Sequence, residues 1–335
     1  MMRISWKSLL SSFSLMLLSS VLLLLLFEVA LRNFAPQPLY SYEQGLFTSS
    51  ADFGYSLTPL AKGLHSQPEY SYFIRANSYG FRGKEPRFDA QYRVLILGDS
   101  FGMGQGVGEG KNLAELSQIY FNDRDVDVDI FNTSLAGYSG INQLKVLHKF
   151  VKTYKPKLVI LLFYWNDVGA RRSLSVQNGY LVVNAGNKYT APFREWLNNH
   201  SHLYSLVRRF YYIQKTKGEV KRGLGGQYAD SDMETTIKYI NEMKTIWELN
   251  KPAFVVVLLP REGIYEGTAE FRRSKKTFID MLTKNSVLAR DWTLELPPND
   301  RNHLNYKIDH HWNEAGHAYF AKVLTRLIEE MKKDD

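Results

Sequence analysis

The sequence predicts an α/β fold, a three-layer α/β/α sandwich around a mostly parallel five-stranded sheet. After residue 93, short apolar runs alternate with longer stretches in which apolar residues recur at helical spacing. Apolar runs that are bounded by turn residues and separated by amphipathic segments are typical of βαβ units with a sheet buried on both faces. A further observation is an uncharged, leucine-rich run near the N-terminus, which predicts one transmembrane helix in front of this fold.

The strands and helices of the sandwich follow from these runs in order. The predicted strands are Val94–Leu97, Val128–Phe131, Leu158–Phe163, Phe254–Leu259 and a weaker one near Val287–Ala289. The helices between and after them are predicted near residues 112–121, 140–154, 234–249, 270–283 and 313–332. Parallel strands joined by such helices require right-handed crossovers.

The N-terminal run extends from Leu9 to Phe27 without a charge or a proline. A helix of this length spans roughly 28 Å at about 1.5 Å per residue, close to the hydrocarbon core of a bilayer. Basic residues precede it and Glu28 follows it, so the positive-inside rule places the N-terminus in the cytoplasm and the rest of the chain on the extracytoplasmic (periplasmic or extracellular) side. A cleaved signal peptide is the alternative, although no A-x-A cleavage site stands behind the run. We therefore expect a single-pass membrane protein.

Changes in composition predict three segments. Residues 1–35 are the membrane anchor, and residues 36–92, rich in aromatic residues, Pro, Gly and Ser, are a linker and N-terminal extension. Residues 93–335 are the α/β domain, with an insertion at about 168–232 that has no comparable sheet signal. Insertions this long in a compact domain are usually lids or binding elements.

Composition excludes several classes of chemistry. The 335 residues carry a formal net charge of +8 and contain no cysteine, which excludes disulfides, thiolate nucleophiles and iron–sulfur clusters. No metal-ligand spacing is present, and the glycines that follow the first strand lack dinucleotide-binding register, so we expect neither a metal nor a cofactor. The basic residues are scattered, and an extracytoplasmic domain meets no nucleic acid. Among functional uses, attraction to anionic lipid or acidic polysaccharide fits them better than nucleic acid, while a plain solvated basic surface is the favoured interpretation.

Polar residues with catalytic potential follow the predicted strands. The first strand ends in Gly98-Asp99-Ser100, Gly137 follows the second, Asn166 follows the third, and Asp309 and His311 precede the last helix. Ligands gather outside the carboxyl ends of parallel strands, so these groups are expected to meet there. The N–H groups of Ser100 and Gly137 and the Asn166 amide can form an oxyanion hole, while His311 and Asp309 supply a base and its orienting acid.

Each of these residues also has a structural interpretation. Gly137 fits a turn, Asn166 fits a helix cap, Asp309 fits a turn, and His311 fits a surface position ahead of a helix. These alternatives stay open at the level of the sequence.

The blocks Gly98-Asp99-Ser100, Gly137, Asn166-Asp167 and Asp309-x-His311-Trp-Asn together resemble the SGNH/GDSL hydrolase superfamily. The segment Asn77-Ser-Tyr-Gly-Phe-Arg-Gly83 is similar to the lead-in of a bacterial, membrane-anchored branch. The resemblance covers about residues 77–330. It implies a flavodoxin-like sheet and serine hydrolase chemistry without a cofactor.

Carried over to this chain, the resemblance makes Ser100 the nucleophile and places the N–H groups of Ser100 and Gly137 and the Asn166 amide in the oxyanion hole. His311 becomes the general base and Asp309 its acid. The common family pattern is Asp-x-x-His, whereas this chain has Asp-x-His. The adjacent His310 is the rival base.

The function expected from these observations is a membrane-anchored serine esterase that hydrolyses O-acyl, and in particular O-acetyl, esters on a cell-surface carbohydrate or lipid. One alternative is an O-acyltransferase that modifies a surface polysaccharide with the same residues. A second is a non-catalytic, polysaccharide-binding membrane protein. The sequence predicts neither protein partners nor an oligomeric state.

Overall fold

A computed structural model describes residues 6–333 apart from 38, 40, 68, 170–173, 184–190, 222–227, 249–252, 262–267 and 297–302. The elements are, in chain order, α1 (Trp6–Phe34), β1 (Ser41–Tyr42), β2 (Phe47–Ser50), β3 (Gly54–Leu57), β4 (Lys62–Gln67), β5 (Tyr70–Arg75), β6 (Tyr92–Gly98), α2 (Ser100–Met103), α3 (Leu113–Asn122), β7 (Val128–Asn132), α4 (Gly140–Thr153), β8 (Leu158–Phe163), β9 (Leu174–Gln177), β10 (Tyr180–Val183), α5 (Ala191–His200), α6 (His202–Lys221), α7 (Asp230–Glu248), β11 (Ala253–Leu258), α8 (Ala269–Lys284), β12 (Ala289–Asp291) and α9 (Glu314–Lys333). Short 3₁₀ turns cover Trp165–Asp167 and Trp292–Glu295.

The centre of the fold is a parallel sheet of five strands in the order β12-β11-β8-β6-β7. When the five strands are numbered by their order in the sequence and listed from the β7 edge, their order is 2-1-3-4-5, which is the flavodoxin-like arrangement. The chain reverses its direction of travel across the sheet between β6 and β8. The predicted fold class is confirmed, and this reversal point is where a doubly wound sheet binds its ligands.

Both faces of the sheet are covered, which explains the continuous apolar runs. In β6, Leu95 and Leu97 pack with the apolar faces of α4, α7 and α8, whereas Val94 and Ile96 pack with those of α3 and α9. All four side chains are buried. A strand that is covered on both sides needs apolar residues along its length. Strands β8 and β11 are apolar at every position, and β6 contains only apolar residues and glycine after Arg93.

The fifth strand lies two residues later than predicted. Val287 donates its N–H to the Leu282 carbonyl and so closes the end of α8, with Ser286 in the left-handed region at φ 53°. Pairing with β11 begins only at Ala289, opposite Val256.

The N-terminal extension is folded, which its irregular sequence did not predict. Strands β1, β4 and β5 form a three-stranded antiparallel sheet, and β2 pairs with β3. Phe47, Tyr55, Leu57 and Ile74 are buried in the same core cluster as Leu95 of the central sheet. The stretch from β1 to β5 is therefore part of the packed body that carries the α/β sheet.

The described part of the insertion consists of the β9–β10 hairpin and helices α5 and α6. Strand β9 lies against β2 and β3, and α5 lies against β10. At the N-terminus, the segment Leu10–Phe34 of α1 is the one stretch of the described residues that is long and apolar enough to cross a membrane, and its apolar part is not buried.

Candidate active site

Ser100 stands at the first position of α2, immediately after β6. The preceding Asp99 caps this short helix, because its carboxylate accepts the Phe101 N–H at 2.9 Å. Glycine is required on both sides of the serine: a Cβ at Gly98 or Gly102 would lie 2.9 Å or 2.3 Å from the Ser134 hydroxyl. Because Gly98 and Gly102 have no side chain, the turn that carries Ser100 packs closely on Ser134 in the loop after β7. This packing fixes Ser100 at the edge of the sheet.

The structure brings Ser100, His311 and Asp309 into one chain of hydrogen bonds. Ser100 Oγ lies 2.7 Å from His311 Nε2, and His311 Nδ1 lies 2.7 Å from Asp309 Oδ2. The Phe101 ring covers the imidazole at a centroid distance of 4.6 Å. This is the geometry in which a histidine takes a proton from a serine while a carboxylate holds the imidazole in place.

The short Asp-x-His spacing is made possible by the residue in between. His310 adopts φ 67°, in the left-handed region that non-glycine residues rarely enter. Its carbonyl accepts a hydrogen bond from Asn305 Nδ2 at 2.7 Å, and the His311 carbonyl accepts the Tyr306 N–H at 2.8 Å. The reversal at His310 turns the side chains of its two neighbours toward each other, and it is His311 that lies within hydrogen-bond distance of Ser100.

Asp309 is held by residues that the sequence analysis did not identify. Tyr70 of β5 donates its hydroxyl to Asp309 Oδ2 at 2.7 Å, and Gln105 Nε2 donates to the Tyr70 hydroxyl at 3.0 Å. Burial raises the pKa of the Asp309 carboxyl, but the charge interaction with His311 and the hydrogen bonds from His311 and Tyr70 outweigh it, and the pKa falls from 3.8 to about 2. Asp309 is therefore an ionised carboxylate whose side chain is 14% exposed. It is bonded to His311 and Tyr70, and Gln105 donates in turn to the Tyr70 hydroxyl.

Glu69, the residue before Tyr70, fixes the backbone of the same loop. Its carboxylate accepts the N–H groups of Lys307, Ile308 and Asp309, each at 2.8 Å. Hydrogen bonds to a charged acceptor are roughly twice as strong as neutral ones. Two consecutive residues of the extension thus hold the loop that carries Asp309 and His311: Glu69 binds its backbone and Tyr70 binds the Asp309 side chain.

The lead-in segment Asn77–Gly83 holds the other side of the site. The buried Arg82 guanidinium donates to the carbonyls of Gly104 and Val107, both at 2.7 Å. These carbonyls bracket the loop that carries Gln105, so Arg82 positions the glutamine that bonds to Tyr70. The motif acts on the site through the loop after Ser100 and does not itself reach the serine.

Asn166 and Gly137, two of the predicted oxyanion-hole residues, contact different neighbours of the site. The Asn166 amide donates to Asp99 Oδ2 at 3.0 Å, so Asp99 links the α2 cap to the turn after β8. Burial raises the pKa of Asp99, while its hydrogen bonds oppose that shift. Gly137 has φ 78°, and the side chain of Leu174 from β9 lies where its Cβ would stand, at 2.0 Å. Within the described chain, neither the Ser100 nor the Gly137 N–H donates to a protein acceptor.

Sequence reasoning thus found the three residues of the hydrogen-bonded chain and missed their supports, namely Glu69, Tyr70, Gln105 and the role of Asp99. No local signal marks Tyr70, which lies 239 positions from its partner in an irregular, aromatic-rich stretch. Among the described residues, no group of three or more His, Asp or Glu side chains is arranged to hold a metal ion.

No protein-family model matches the chain, and no curated protein matches its sequence. Solved structures similar to it include lipolytic proteins of the G-D-S-L family, esterases and acylhydrolases. A lipase/acylhydrolase from Enterococcus faecalis is 12% identical, with a TM-score of 0.45 over 72% of this chain and 96% of that one. A family 3 carbohydrate esterase from Clostridium thermocellum is 11% identical, with a TM-score of 0.44 over 72% and 98% of the two chains. The esterase EstA from a Pseudoalteromonas species is 12% identical, with a TM-score of 0.41 over 73% and 98%. Similarities this low do not establish a family or an activity, which depend on the residues of this chain.

Proposed function

We propose that the protein is a membrane-anchored serine hydrolase that cleaves O-acyl esters through an acyl-enzyme on Ser100. The observation that carries the proposal is the continuous hydrogen-bonded chain Ser100–His311–Asp309, with both contacts at 2.7 Å. Its position at the reversal point of a parallel sheet supports the same conclusion, because ligands of such sheets bind there.

In the first half-reaction, Ser100 Oγ attacks the ester carbonyl carbon while His311 Nε2 takes the hydroxyl proton. The carbonyl oxygen becomes an oxyanion, for which the N–H groups of Ser100 and Gly137 and the Asn166 amide are the proposed donors. Collapse of the tetrahedral intermediate breaks the ester C–O bond, and His311 returns the proton to the leaving alcohol. The acyl group is then carried on Ser100.

In the second half-reaction, water attacks the acyl-enzyme and gives its proton to His311. The second tetrahedral intermediate releases the carboxylic acid and restores the Ser100 hydroxyl. The ionised Asp309 stabilises the imidazolium that forms in both halves. A sugar hydroxyl in place of water would make the same residues an O-acyltransferase.

The apolar α1 supports anchoring of this domain to a membrane, with the N-terminus in the cytoplasm and the active site on the extracytoplasmic side. Acyl esters of surface glycans or lipids are the substrates that such a position presents. The proposed segments are the anchor at 1–35, the extension at 36–92 and the hydrolase domain from residue 93.

The test uses the full chain in detergent micelles with p-nitrophenyl acetate, longer acyl esters and a fluorophosphonate probe followed by peptide mass spectrometry. We expect ester turnover and a covalent adduct on Ser100. Ser100→Ala and His311→Ala should each lower turnover by roughly 10³-fold or more. Ser231→Ala and His148→Ala, which change the same residue types at exposed positions, are the matched controls.

Turnover that survives Ser100→Ala, or an adduct on another residue, would contradict the proposed mechanism. A Ser100 adduct without hydrolysis of any ester would retain the nucleophile and favour the transferase, which an added sugar acceptor then tests by product mass. Absence of both adduct and turnover would favour the non-catalytic binding protein.

A further inference from the structure

The end of the anchor is joined to the insertion by a set of hydrogen bonds. The Glu28 carboxylate in α1 accepts the Ser201 hydroxyl at 2.9 Å and the N–H groups of His202 and Leu203 at 3.0 and 2.9 Å. These are the first N–H groups of α6, so a side chain of the anchor caps the insertion helix. Arg32 pairs with Glu28 at 2.8 Å and also bonds to the His200 carbonyl.

The contacts between α1 and the insertion lie near the C-terminal end of the anchor. Glu28 is the first charged residue after the apolar run, and a helix of that run's length matches the hydrocarbon core. Within α1, only Glu28 and Leu31 are half-buried against the body, and the described residues before them are exposed. Helix α6 therefore starts at the head-group level without running along the apolar part of the anchor.

The two insertion helices expose apolar side chains at helical spacing. On α5, Phe193 and Trp196 are 62% and 51% exposed, and Trp196 stacks on Phe193 and on His200. On α6, Val207 and Phe210 are 59% and 65% exposed, with Tyr211 beside them. Exposed apolar faces of this kind mark an interaction surface.

Basic residues lie on the same two helices. Arg194 of α5 and Arg209 of α6 are half-buried, whereas Arg208 donates to the buried Asn198 side chain and so belongs to the inner side of the hairpin. Aromatic residues combined with Arg or Lys are the composition that amphipathic helices use at a lipid head-group surface. The polar residues Asn198 and Ser205 are instead buried on the inner side of the hairpin.

We propose that helices α5 and α6 form a membrane-interface hairpin, with Phe193, Trp196, Val207 and Phe210 inserted into the head-group region of the same bilayer that α1 spans. The inference rests on the membrane anchoring in the proposed function. Lipid is the proposed partner of these faces because the hairpin begins at the end of the apolar anchor and is joined to it by Glu28.

The hairpin has a direct route to the active site. Helix α5 packs on β10, β10 pairs with β9, and Leu174 of β9 lies on Gly137. These contacts place the insertion, which we propose lies on the bilayer, next to Gly137, a proposed donor of the oxyanion hole. Acyl esters attached to lipids, or to glycans that are themselves lipid-anchored, are the substrate class that this position presents.

The experiment measures the depth of single spin labels in the full chain, reconstituted in nanodiscs of phosphatidylcholine with phosphatidylglycerol. The chain has no native cysteine, so Val207→Cys and Phe210→Cys each give one labelled site. Leu23→Cys reports the anchor, and Ile119→Cys reports an exposed apolar position on α3, on the opposite face of the sheet. Collision with oxygen and with a water-soluble nickel chelate is compared at each site.

We expect oxygen to dominate at positions 207, 210 and 23, and the nickel chelate to dominate at 119. Labels at 207 and 210 that are as accessible to nickel as the label at 119, while position 23 is in lipid, would overturn the hairpin inference and leave the anchor intact. Lipid contact at 207 and 210 with an aqueous position 23 would instead overturn the anchor, and with it the statement that the hairpin lies on a bilayer that α1 spans. Spin–spin broadening between copies at position 210, together with aqueous exposure, would assign this face to a second copy and overturn the lipid proposal.

Discussion

At the scale of single residues, the site depends on the hydrogen bonds that keep the Asp309 carboxylate ionised and oriented toward His311. Asp309 Oδ2 lies 2.7 Å from both His311 Nδ1 and the Tyr70 hydroxyl. A carboxylate with its hydrogen bonds satisfied in this way resists both protonation and rotation. The tyrosine, which belongs to the extension and not to the sheet domain, is accordingly the most informative residue to change.

Tyr70→Phe removes the hydroxyl and keeps the ring. We expect kcat for ester hydrolysis to fall by about 10-fold to 100-fold with KM unchanged, because a hydrogen bond to a charged group is worth about 1.5–3 kcal/mol. We also expect the pKa of Asp309 to rise, since one of the groups that lower it is lost. The measurement is the pH profile of kcat with the full chain.

Tyr120→Phe is the matched control, because Tyr120 also donates to a carboxylate, that of Glu329, at a distance of 3.1 Å. That pair joins α3 to α9 away from Ser100. Equal loss of kcat in both variants would mean that Tyr70 acts on overall stability and not on the acid.

His310 provides a second test, because it separates backbone conformation from chemistry. At φ 67°, glycine fits without strain, whereas a β-branched residue costs about 1–3 kcal/mol. We expect His310→Gly to retain ester hydrolysis and His310→Val to lose both activity and stability, as followed by turnover and urea unfolding. Loss of turnover in a folded His310→Gly variant would show that His310, and not His311, is the base.

At the scale of elements, the loop between residues 303 and 313 owes its position to the extension. Glu69 accepts three consecutive backbone N–H groups of this loop, at residues 307 to 309. Asp309, the proposed catalytic acid, is thereby positioned by an element that precedes the α/β domain in sequence.

We expect Glu69→Gln to lower kcat by about 10-fold to 100-fold. The substitution replaces one acceptor oxygen with an amide donor that faces a backbone N–H, so the loop shifts. A shift of about 1 Å at a catalytic group can lower the rate by about 10²-fold. The measurement is kcat and KM together with the midpoint of urea unfolding. Glu85→Gln is the control, because Glu85 accepts the Ser78 N–H at 2.7 Å in the same extension without touching the loop. An identical kcat in the two variants would refute a positioning role for Glu69.

The elements that the sequence predicted well are those whose signal is local. Strand β8 is apolar at every position because each of its faces is covered, and that pattern is visible in six consecutive residues. The order of the motifs along the strands likewise placed Ser100, Asp309 and His311 at one edge. The extension gave no such signal. Burial alternates along β4 and β5, but the residue types do not follow it, since Leu64 and Phe73 are exposed whereas Gly63 and His65 are buried. Contacts such as Tyr70–Asp309 depend on tertiary structure that no window of the sequence contains.

At the scale of the whole molecule, two fully buried histidines make stability depend on pH. His65 stacks on Tyr42 and bonds to the Tyr72 hydroxyl at 3.1 Å, and His317 accepts the Leu113 N–H at 3.3 Å. Burial lowers the pKa of each from 6.5 to about 3. Both are therefore neutral in the folded protein at pH values where the unfolded chain binds a proton on each.

The sign of the effect follows from this difference in bound protons. Between about pH 6.5 and about pH 3 the unfolded state carries more protons, so the free energy of unfolding falls as the pH falls, by about 1.4 kcal/mol per pH unit for each histidine. The window for Asp309 is separate: its pKa is lowered to about 2, so its contribution is complete above about pH 4 and is lost only as the pH falls toward 2. Loss of stability at mildly acidic pH should therefore come from the histidines and not from the triad acid.

We expect the two histidines together to lower the free energy of unfolding of the full chain in micelles by about 2–3 kcal/mol per pH unit below pH 6, as measured with urea between about pH 7 and about pH 4.5. The raised pKa values of the buried Asp99 and Asp129 carboxyls oppose this fall. His65→Gln should remove about half of the histidine contribution to this slope. A packing defect caused by the substitution would change the absolute stability but not its pH dependence, because only a difference in bound protons between the folded and unfolded states depends on pH. His148→Gln, at an exposed position, should leave the slope unchanged. An unaltered slope in His65→Gln would mean that His65 is protonated in the folded protein. That protonation would place a positive charge in the aromatic cluster next to Tyr70 and Asp309.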